Sequence, residues 1–134
     1  EVLSYTLSWW EHRQAEEMHI RHIENLLQAI RIIESGGDYN ARGASGEYGA
    51  YQWMPESFAQ FSYRYFGELL DLTLPENQDK VARMKIEELV NAGLSDKDIA
   101  ATWNSGSHLG WERKVGVNRH GVKYNVPLYV NKFI

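Results

Sequence analysis

The sequence predicts a mainly α fold in a single domain. Apolar residues recur at three- and four-residue steps before Ser35, a pattern typical of one buried helix face. Proline stands where later helices are expected to begin, and glycine follows most of the predicted helices. A chain of 134 residues, 43% of them hydrophobic, is long enough to bury one core. We therefore expect residues 1–134 to form one domain.

The first helix is predicted from about Glu11 to Glu34. Glycines 36 and 37 follow it, and glycine is the usual residue just past a helix C-terminus. Its apolar stripe consists of Ile23, Leu26, Leu27, Ile30 and Ile33. Residues 1–10 are apolar but irregular, so we expect either a linker or an extension that packs back on the domain.

Three longer helices and one short helix are predicted after the first. They run from Pro55 to about Phe66, from Pro75 to Gly93, from Ser95 to about Asn104, and from Pro127 to the end of the chain. The glycine-rich residues 35–53 are expected to form either a loop or a small β-hairpin. Residues 107–125 are predicted to be a loop without regular structure.

Composition excludes several classes of function. The chain has no cysteine, so disulfides and cysteine metal sites are excluded. A net charge of −4 argues against nucleic acid as the main partner. No apolar run is long enough to cross a membrane, and no signal peptide is visible, so no membrane insertion is expected. Because the chain starts at Glu1, we expect it to be a piece of a larger protein.

Glu34 is the candidate general acid. It lies at the predicted C-terminus of the first helix, where the helix dipole disfavours a negative charge. Aromatic residues are frequent in the stretch that follows: Tyr39, Tyr48, Tyr51 and Trp53. Apolar surroundings raise the pKa of a carboxyl, and a general acid that works near neutral pH needs a raised pKa.

Five short segments, taken together, carry a family resemblance. In order they are IESGGDYN at 33–40, GEYGAYQWMP at 46–55, ENQDKVA at 76–82, AATWNSG at 100–106 and VPLYV at 126–130. Each motif alone is weak, but five in this order resemble the lysozyme-like lytic transglycosylases of the soluble, SLT type. The resemblance covers about residues 20–132. It implies a lysozyme-like fold with a glycine-rich loop or small β-hairpin beside the active-site cleft.

The resemblance also implies roles for individual residues. Glu34 matches the catalytic acid, which protonates the glycosidic oxygen. Ser35 matches a serine near that acid or the sugar, and Tyr129 resembles a tyrosine whose hydroxyl contacts the acid.

Four further residues match the family's substrate-binding positions. Gln52 and Asn104 match polar residues that contact the glycan, and Met54 matches an apolar wall of the cleft. Trp103 stands where the family usually has tyrosine, so the aromatic face is kept and the hydroxyl is lost.

The function implied is cleavage of the β-1,4 bond between N-acetylmuramic acid and N-acetylglucosamine in peptidoglycan, without water and without a cofactor. With one carboxylate, the substrate's N-acetyl group can act as the nucleophile. In the resembled family the 6-hydroxyl then closes an anhydro ring, and Glu34 would act as the base. Two alternatives stay open. One is a hydrolytic lysozyme in which Glu47 is the second carboxylate, and the other is an inactive glycan-binding module.

Other features predict context. His12, His19 and His22 are interpreted as a solvated face of the first helix, so no metal site is expected. Residues 100–134 carry five Lys or Arg against one Glu, a basic segment that would suit an anionic cell wall. We expect a monomer in the periplasm or at the cell wall outside the cell, in wall remodelling, a secretion machinery or a virion.

Overall fold

A computed structural model describes the backbone of residues 2–133 and the side chains of residues 8–133. Those residues form five α-helices, one short 3-10 turn and one two-stranded sheet. In chain order they are α1 (Val2–Ser35), α2 (Pro55–Phe66), α3 (Pro75–Asn91), α4 (Asp96–Ser105), the 3-10 turn (Trp111–Arg113), β1 (Val115–Val117), β2 (Lys123–Asn125) and α5 (Val126–Phe133). The predicted mainly α fold is confirmed.

Helix α1 begins at Val2, nine residues before the expected start. No glycine or proline interrupts residues 1–34, so the helix has no reason to stop at Glu11. Trp9 and Trp10 are each about half exposed, so the described part of this segment does not pack back on the domain. Every side chain from Ser8 to Arg21 is exposed, and burial begins at Ile23.

The boundaries of the middle helices follow the local signals in the sequence. Pro55 and Pro75 each occupy the first turn of a helix, where the missing N–H costs no helical hydrogen bond. The Ser95 hydroxyl accepts a hydrogen bond from the Asp98 N–H at 3.2 Å and caps α4. These predicted helix starts are confirmed.

The core forms where α1, α2, α3 and α4 meet. Helix α1 packs against α3, α2 against α3, and α4 against α5. The main cluster consists of Ile23, Leu26, Leu27, Ile30, Ala50, Tyr51, Trp53, Phe58, Val81, Ala82, Ile86 and Ile99. Ala50, Tyr51 and Trp53 belong to the loop after α1, so that loop is built into the core.

The two-stranded sheet lies in residues 107–125, and the glycine-rich segment 35–53 is a loop. Strands β1 and β2 pair antiparallel within residues 107–125, which were expected to be irregular. The residue 35–53 loop has only isolated bridges, from Arg42 to Tyr48 and from Tyr48 to Trp53. The strands are three residues each and mostly exposed, so they show no alternation of buried and exposed positions from which to predict them.

Candidate active site

A cavity of about 710 Å³ lies between the end of α1, the loop that follows it, and helices α2, α3 and α4. We call this cavity the acid cleft. Six of the residues singled out from the sequence line it together: Glu34, Glu47, Gln52, Met54, Trp103 and Asn104. They come from α1, the loop, the start of α2 and the end of α4, so the fold brings together residues up to 70 positions apart in the sequence.

Helix α1 positions Glu34, and Ser35 fixes the end of that helix. The Ser35 hydroxyl donates to the Ala50 carbonyl at 2.8 Å and accepts from the N–H groups of Gly37 and Asp38 at 3.2 and 3.1 Å. These bonds join the last turn of α1 to the loop behind it. Ser35 does not line the acid cleft, and its hydroxyl is engaged with backbone groups.

Burial raises the pKa of the Glu34 carboxyl from 4.5 to about 7. This value includes two smaller effects: the hydrogen bond from Tyr129 lowers the pKa, and the negative charge of Glu47 raises it. The Tyr129 hydroxyl donates to Glu34 Oε2 at 3.1 Å, from α5 at the other end of the chain. Glu34 is therefore a carboxyl that holds its proton near neutral pH.

Gln78 of α3 holds the residue 35–53 loop through hydrogen bonds to its backbone. This fully buried residue of α3 accepts from the Ala50 N–H at 2.9 Å and donates to the carbonyls of Tyr39 and Leu72 at 3.0 and 2.9 Å. Gly49 has a φ of 90°, and a Cβ there would overlap the Gln78 amide. The loop can lie this close to α3 only because position 49 is glycine.

Gln52 and Glu47 are held in place by the loop itself. Gln52 is the one non-glycine residue with positive φ in the described chain, at 52°, an unfavourable backbone conformation that is enriched at functional sites. Its amide nitrogen donates to the Gly49 carbonyl at 2.9 Å. Glu47 Oε1 accepts from the Ser45 N–H at 2.8 Å. Both side chains therefore have fixed positions in the wall of the acid cleft.

Aromatic rings form one wall of the acid cleft. Trp103 lies 5.0 Å from Trp53 and 6.0 Å from Tyr51 between ring centroids. The Trp53 indole N–H is buried and finds no hydrogen-bond partner among the described residues. Flat rings of this kind suit the faces of sugars as well as one another.

A polar network stands behind the aromatic wall. Tyr51 and Tyr39 donate their hydroxyl hydrogens to Asp79 Oδ1 at 2.6 and 2.8 Å. Arg31 Nη1 donates to the Tyr51 hydroxyl at 2.7 Å. The network links α1, the loop and α3, so it fixes Tyr51 relative to the helix that carries Glu34.

A family model described as the transglycosylase SLT domain matches residues 12–121. The chain belongs to this family. The comparison with curated proteins found no match. The match begins within α1 and ends in the turn between β1 and β2, and the mainly helical architecture agrees with the lysozyme-like fold of SLT domains. Tyr129 lies beyond the matched residues, so its place in the site rests on its contact with Glu34.

Several residues of the SLT domain's cleft were missed from the sequence. The main one is Lys85 of α3, which lines the acid cleft together with Tyr51 and Trp53. Lys85 follows Val81 by four residues and precedes Ile86, so it lies on the apolar face of its helix. A lysine on an apolar stripe is the signal in the sequence that could have identified it.

A second cavity of about 1000 Å³ lies between the hairpin, α5 and the end of α4. We call it the lysine groove, because Lys114, Lys123 and Lys132 line it, and no Asp or Glu of the described chain does. Asn104 lines both cavities, and Tyr129 lines the lysine groove while its hydroxyl reaches Glu34. Part of the basic segment predicted from the sequence therefore lies beside the acid.

One histidine of the predicted face contacts an acidic side chain. His22 Nε2 lies 3.0 Å from Asp96 Oδ1, while His12 and His19 are exposed. Within residues 8–133, no group of three or more His, Asp or Glu side chains is arranged to hold a metal ion. Of the helices described, none combines the length and the apolar character needed to cross a bilayer.

The raised pKa of Glu34 predicts a dependence of stability on pH. Since the folded-state pKa, about 7, exceeds the ordinary value of 4.5, the folded protein binds the proton more tightly, and stability falls as pH rises between these values. Glutamine cannot ionise. The free energy of unfolding of Glu34→Gln, relative to the parent, should therefore be about 2 kcal/mol higher at pH 8.5 than at pH 4.

Urea unfolding at the two pH values measures this difference. Glu68→Gln, which changes an exposed carboxylate after α2, is the matched control and should show the same offset from the parent at both. If Glu34→Gln also shows a constant offset, Glu34 does not hold its proton in the folded protein.

Proposed function

We propose that this SLT domain cleaves the β-1,4 bond between N-acetylmuramic acid and N-acetylglucosamine in peptidoglycan, with an anhydro-muramic product. The observation that carries the proposal is the state of Glu34. It is a carboxyl with a pKa of about 7, in a cleft with sugar-sized aromatic faces, and it is contacted by a tyrosine hydroxyl. A family whose members act on peptidoglycan supplies the substrate class.

The reaction begins with proton transfer from Glu34 to the glycosidic oxygen. The C1–O bond then breaks, and positive charge develops at C1 of the muramic sugar. The neighbouring N-acetyl oxygen bonds to C1, which removes the need for a carboxylate nucleophile. Glu34, now ionised, takes the proton of the 6-hydroxyl as that oxygen attacks C1 and displaces the acetamido oxygen. Glu34 thereby regains the proton that it donated in the first step, and no water is consumed.

The neighbours of Glu34 suit both stages of this cycle. Its protonated form is favoured by burial, so the acid is ready before bond cleavage. Its ionised form is stabilised by the Tyr129 hydroxyl, which donates a hydrogen bond at 3.1 Å. Gln52, Asn104, Met54 and Trp103 line the same cleft and are proposed to bind the glycan.

A hydrolytic lysozyme is the second candidate, and Glu47 is the observation that favours it. Glu47 lines the acid cleft with Glu34, and its charge contributes to the raised pKa of Glu34. In that mechanism Glu47 holds a water molecule or stabilises the developing charge. An inactive glycan-binding module is the third candidate, and the presence of Glu34, Gln52 and Asn104 in one cleft argues against it.

Product analysis separates the candidates. Mass spectrometry of muropeptides released from purified peptidoglycan should find 1,6-anhydro-muramic ends, each 18 mass units lighter than a reducing end because no water has been added. Reducing ends in the products would show that the protein is a hydrolytic lysozyme. Strands that stay intact after prolonged incubation would show that it is an inactive glycan-binding module.

The setting is proposed on the same basis. Because the substrate lies outside the cytoplasmic membrane, we infer a periplasmic or extracellular location at the cell wall, in wall remodelling, a secretion machinery or a virion. The domain needs no cofactor for the proposed reaction, and it is proposed to act as a monomer on glycan strands.

A further inference from the structure

Lys85 holds a positive charge against three aromatic rings at one end of the acid cleft. Its ammonium lies 4.6 Å from the ring centroid of Trp103, 4.7 Å from that of Phe61 and 5.6 Å from that of Trp53. Each ring face attracts a cation at these distances. The rings therefore fix where the charge lies, although a ring face cannot accept the strong hydrogen bonds that an ammonium can donate.

The hydrogen-bonding capacity of Lys85 is unused within the described protein. No carboxylate of residues 8–133 forms an ion pair with it, and no hydrogen bond from its ammonium is found there. The nearby carboxylate of Glu88 is already engaged, because one oxygen accepts from Arg64 and the other from Tyr65. Burial lowers the pKa of Lys85 to about 8, and the negative charge of Glu88 offsets only part of that effect.

Such a cation is costly unless something else completes its contacts. Lys85 is partly buried, so its ammonium has lost part of its hydration in the free protein, and a ligand oxygen would offset that cost. Since Lys85 lines the same cleft as Glu34, the ligand with that oxygen would be the substrate.

We propose that Lys85 is a specificity-determining residue that binds an oxygen of the lactyl carboxyl group of N-acetylmuramic acid. This inference rests on the proposed function. The two sugars of peptidoglycan differ by that lactyl group, whose carboxyl is an amide carbonyl where a peptide stem is attached and a free carboxylate where it is not. Either form offers an oxygen to an ammonium, and the free carboxylate offers the stronger charge-assisted bond.

The competing assignment is the N-acetyl carbonyl, which both sugars carry. Neutral donors are sufficient for a neutral amide, and Gln60 and Ser57 line the same cleft for that purpose. A cation recovers its desolvation cost best from a charged or strongly polar oxygen. On a strand without a peptide stem, the free lactyl carboxylate is the group of the glycan that provides such an oxygen.

Binding to three glycans of equal length tests the assignment, in the Glu34→Gln background so that cleavage is slow compared with the binding measurement. Chitin oligosaccharide has no lactyl group, strands stripped of peptides carry the free carboxylate, and strands with peptide stems carry the amide. Lys85→Met keeps an unbranched apolar side chain against the rings but removes the donors and the charge. Lys80→Met, at an exposed position of α3, is the matched control.

Lys85→Met is expected to weaken binding of stripped strands about 10-fold to 100-fold and of stem-bearing strands by about 10-fold, with chitin oligosaccharide unchanged. Lys85→Arg should retain the preference for lactyl-bearing strands, and Lys80→Met should match the parent on all three. If Lys85→Met weakens binding of stripped strands more than binding of stem-bearing strands, the free lactyl carboxylate is the main ligand of Lys85. If both types of strand lose the same affinity, the lactyl carbonyl oxygen is the ligand.

Two results would overturn the assignment. If Lys85→Met weakens binding of all three glycans equally, Lys85 binds the shared N-acetyl group. If Lys85→Met leaves binding of both lactyl-bearing strands unchanged, Lys85 does not bind the glycan. Failure of the proposed function gives a different result. In that case the protein with Glu34 intact leaves peptidoglycan uncut, whatever its binding preference.

Discussion

Replacing Glu34 by glutamine is expected to slow cleavage of peptidoglycan about 1000-fold. A positioned general acid contributes on the order of 10²-fold to 10⁴-fold, and Glu34 is proposed to act twice, as acid and then as base. Glutamine has nearly the same shape and can still accept the Tyr129 hydroxyl hydrogen, so the loss should fall on kcat and leave KM close to that of the parent. Release of soluble muropeptides from purified sacculi measures the rate.

Two glutamate variants sharpen this experiment. Glu68→Gln changes an exposed carboxylate outside the cleft and should cleave at the parental rate. Glu47→Gln decides between the mechanisms: a loss below about 10-fold fits a transglycosylase in which Glu34 acts alone. A loss at Glu47 as large as that at Glu34 fits a two-carboxylate lysozyme. If Glu34→Gln cleaves peptidoglycan at the parental rate, Glu34 is not the catalytic acid.

Replacing Gln78 by leucine is expected to destabilise the domain by about 3–4 kcal/mol. Leucine keeps the bulk of the buried side chain but leaves the Ala50 N–H and the carbonyls of Tyr39 and Leu72 without their partner. Each buried backbone group that loses its hydrogen bond costs about 1–3 kcal/mol, and relaxation of the loop recovers part of the sum. The midpoint of urea unfolding reports the change.

Gln28→Leu is the matched control for this variant. Gln28 lies on the exposed face of α1, so the same chemical change there should alter the free energy of unfolding by less than about 0.5 kcal/mol. Because the loop also carries Gln52 and Glu47, Gln78→Leu should raise KM for peptidoglycan under conditions where the protein is folded. Equal stability of the two leucine variants would mean that the loop does not depend on Gln78.

The parts of the fold that the sequence predicted correctly are those with local signals. The starts of α2 and α3 follow from Pro55 and Pro75, and the start of α4 follows from the Ser95 cap. The placement of Glu34 at the end of a helix followed from a stripe of apolar residues and two glycines. Each of these signals acts within about four residues, so it can be identified without knowledge of the tertiary structure.

The parts that were missed depend on contacts between distant positions. Lys85 becomes a cleft residue only when Trp53, from the loop, and Trp103, from α4, lie beside it. Asp79 binds two tyrosines from the loop, 28 and 40 residues earlier. Neither motif spacing nor periodicity encodes such distances, so the position of Lys85 on an apolar stripe marked it as unusual but did not place it beside the two tryptophans, and Asp79 was indistinguishable from a surface charge.

Helix α1 has a further consequence for motion within the protein. From Ile23 onward, opening the helix would expose the core. The C-terminal part of α1 therefore opens only when the whole domain unfolds. Every side chain from Ser8 to Arg21 is exposed. This N-terminal part of the helix can therefore unwind locally at small cost in free energy. One continuous helix thus spans two cooperative units, with their border near His22. The acid at the far end keeps its position while the outer turns fray and re-form.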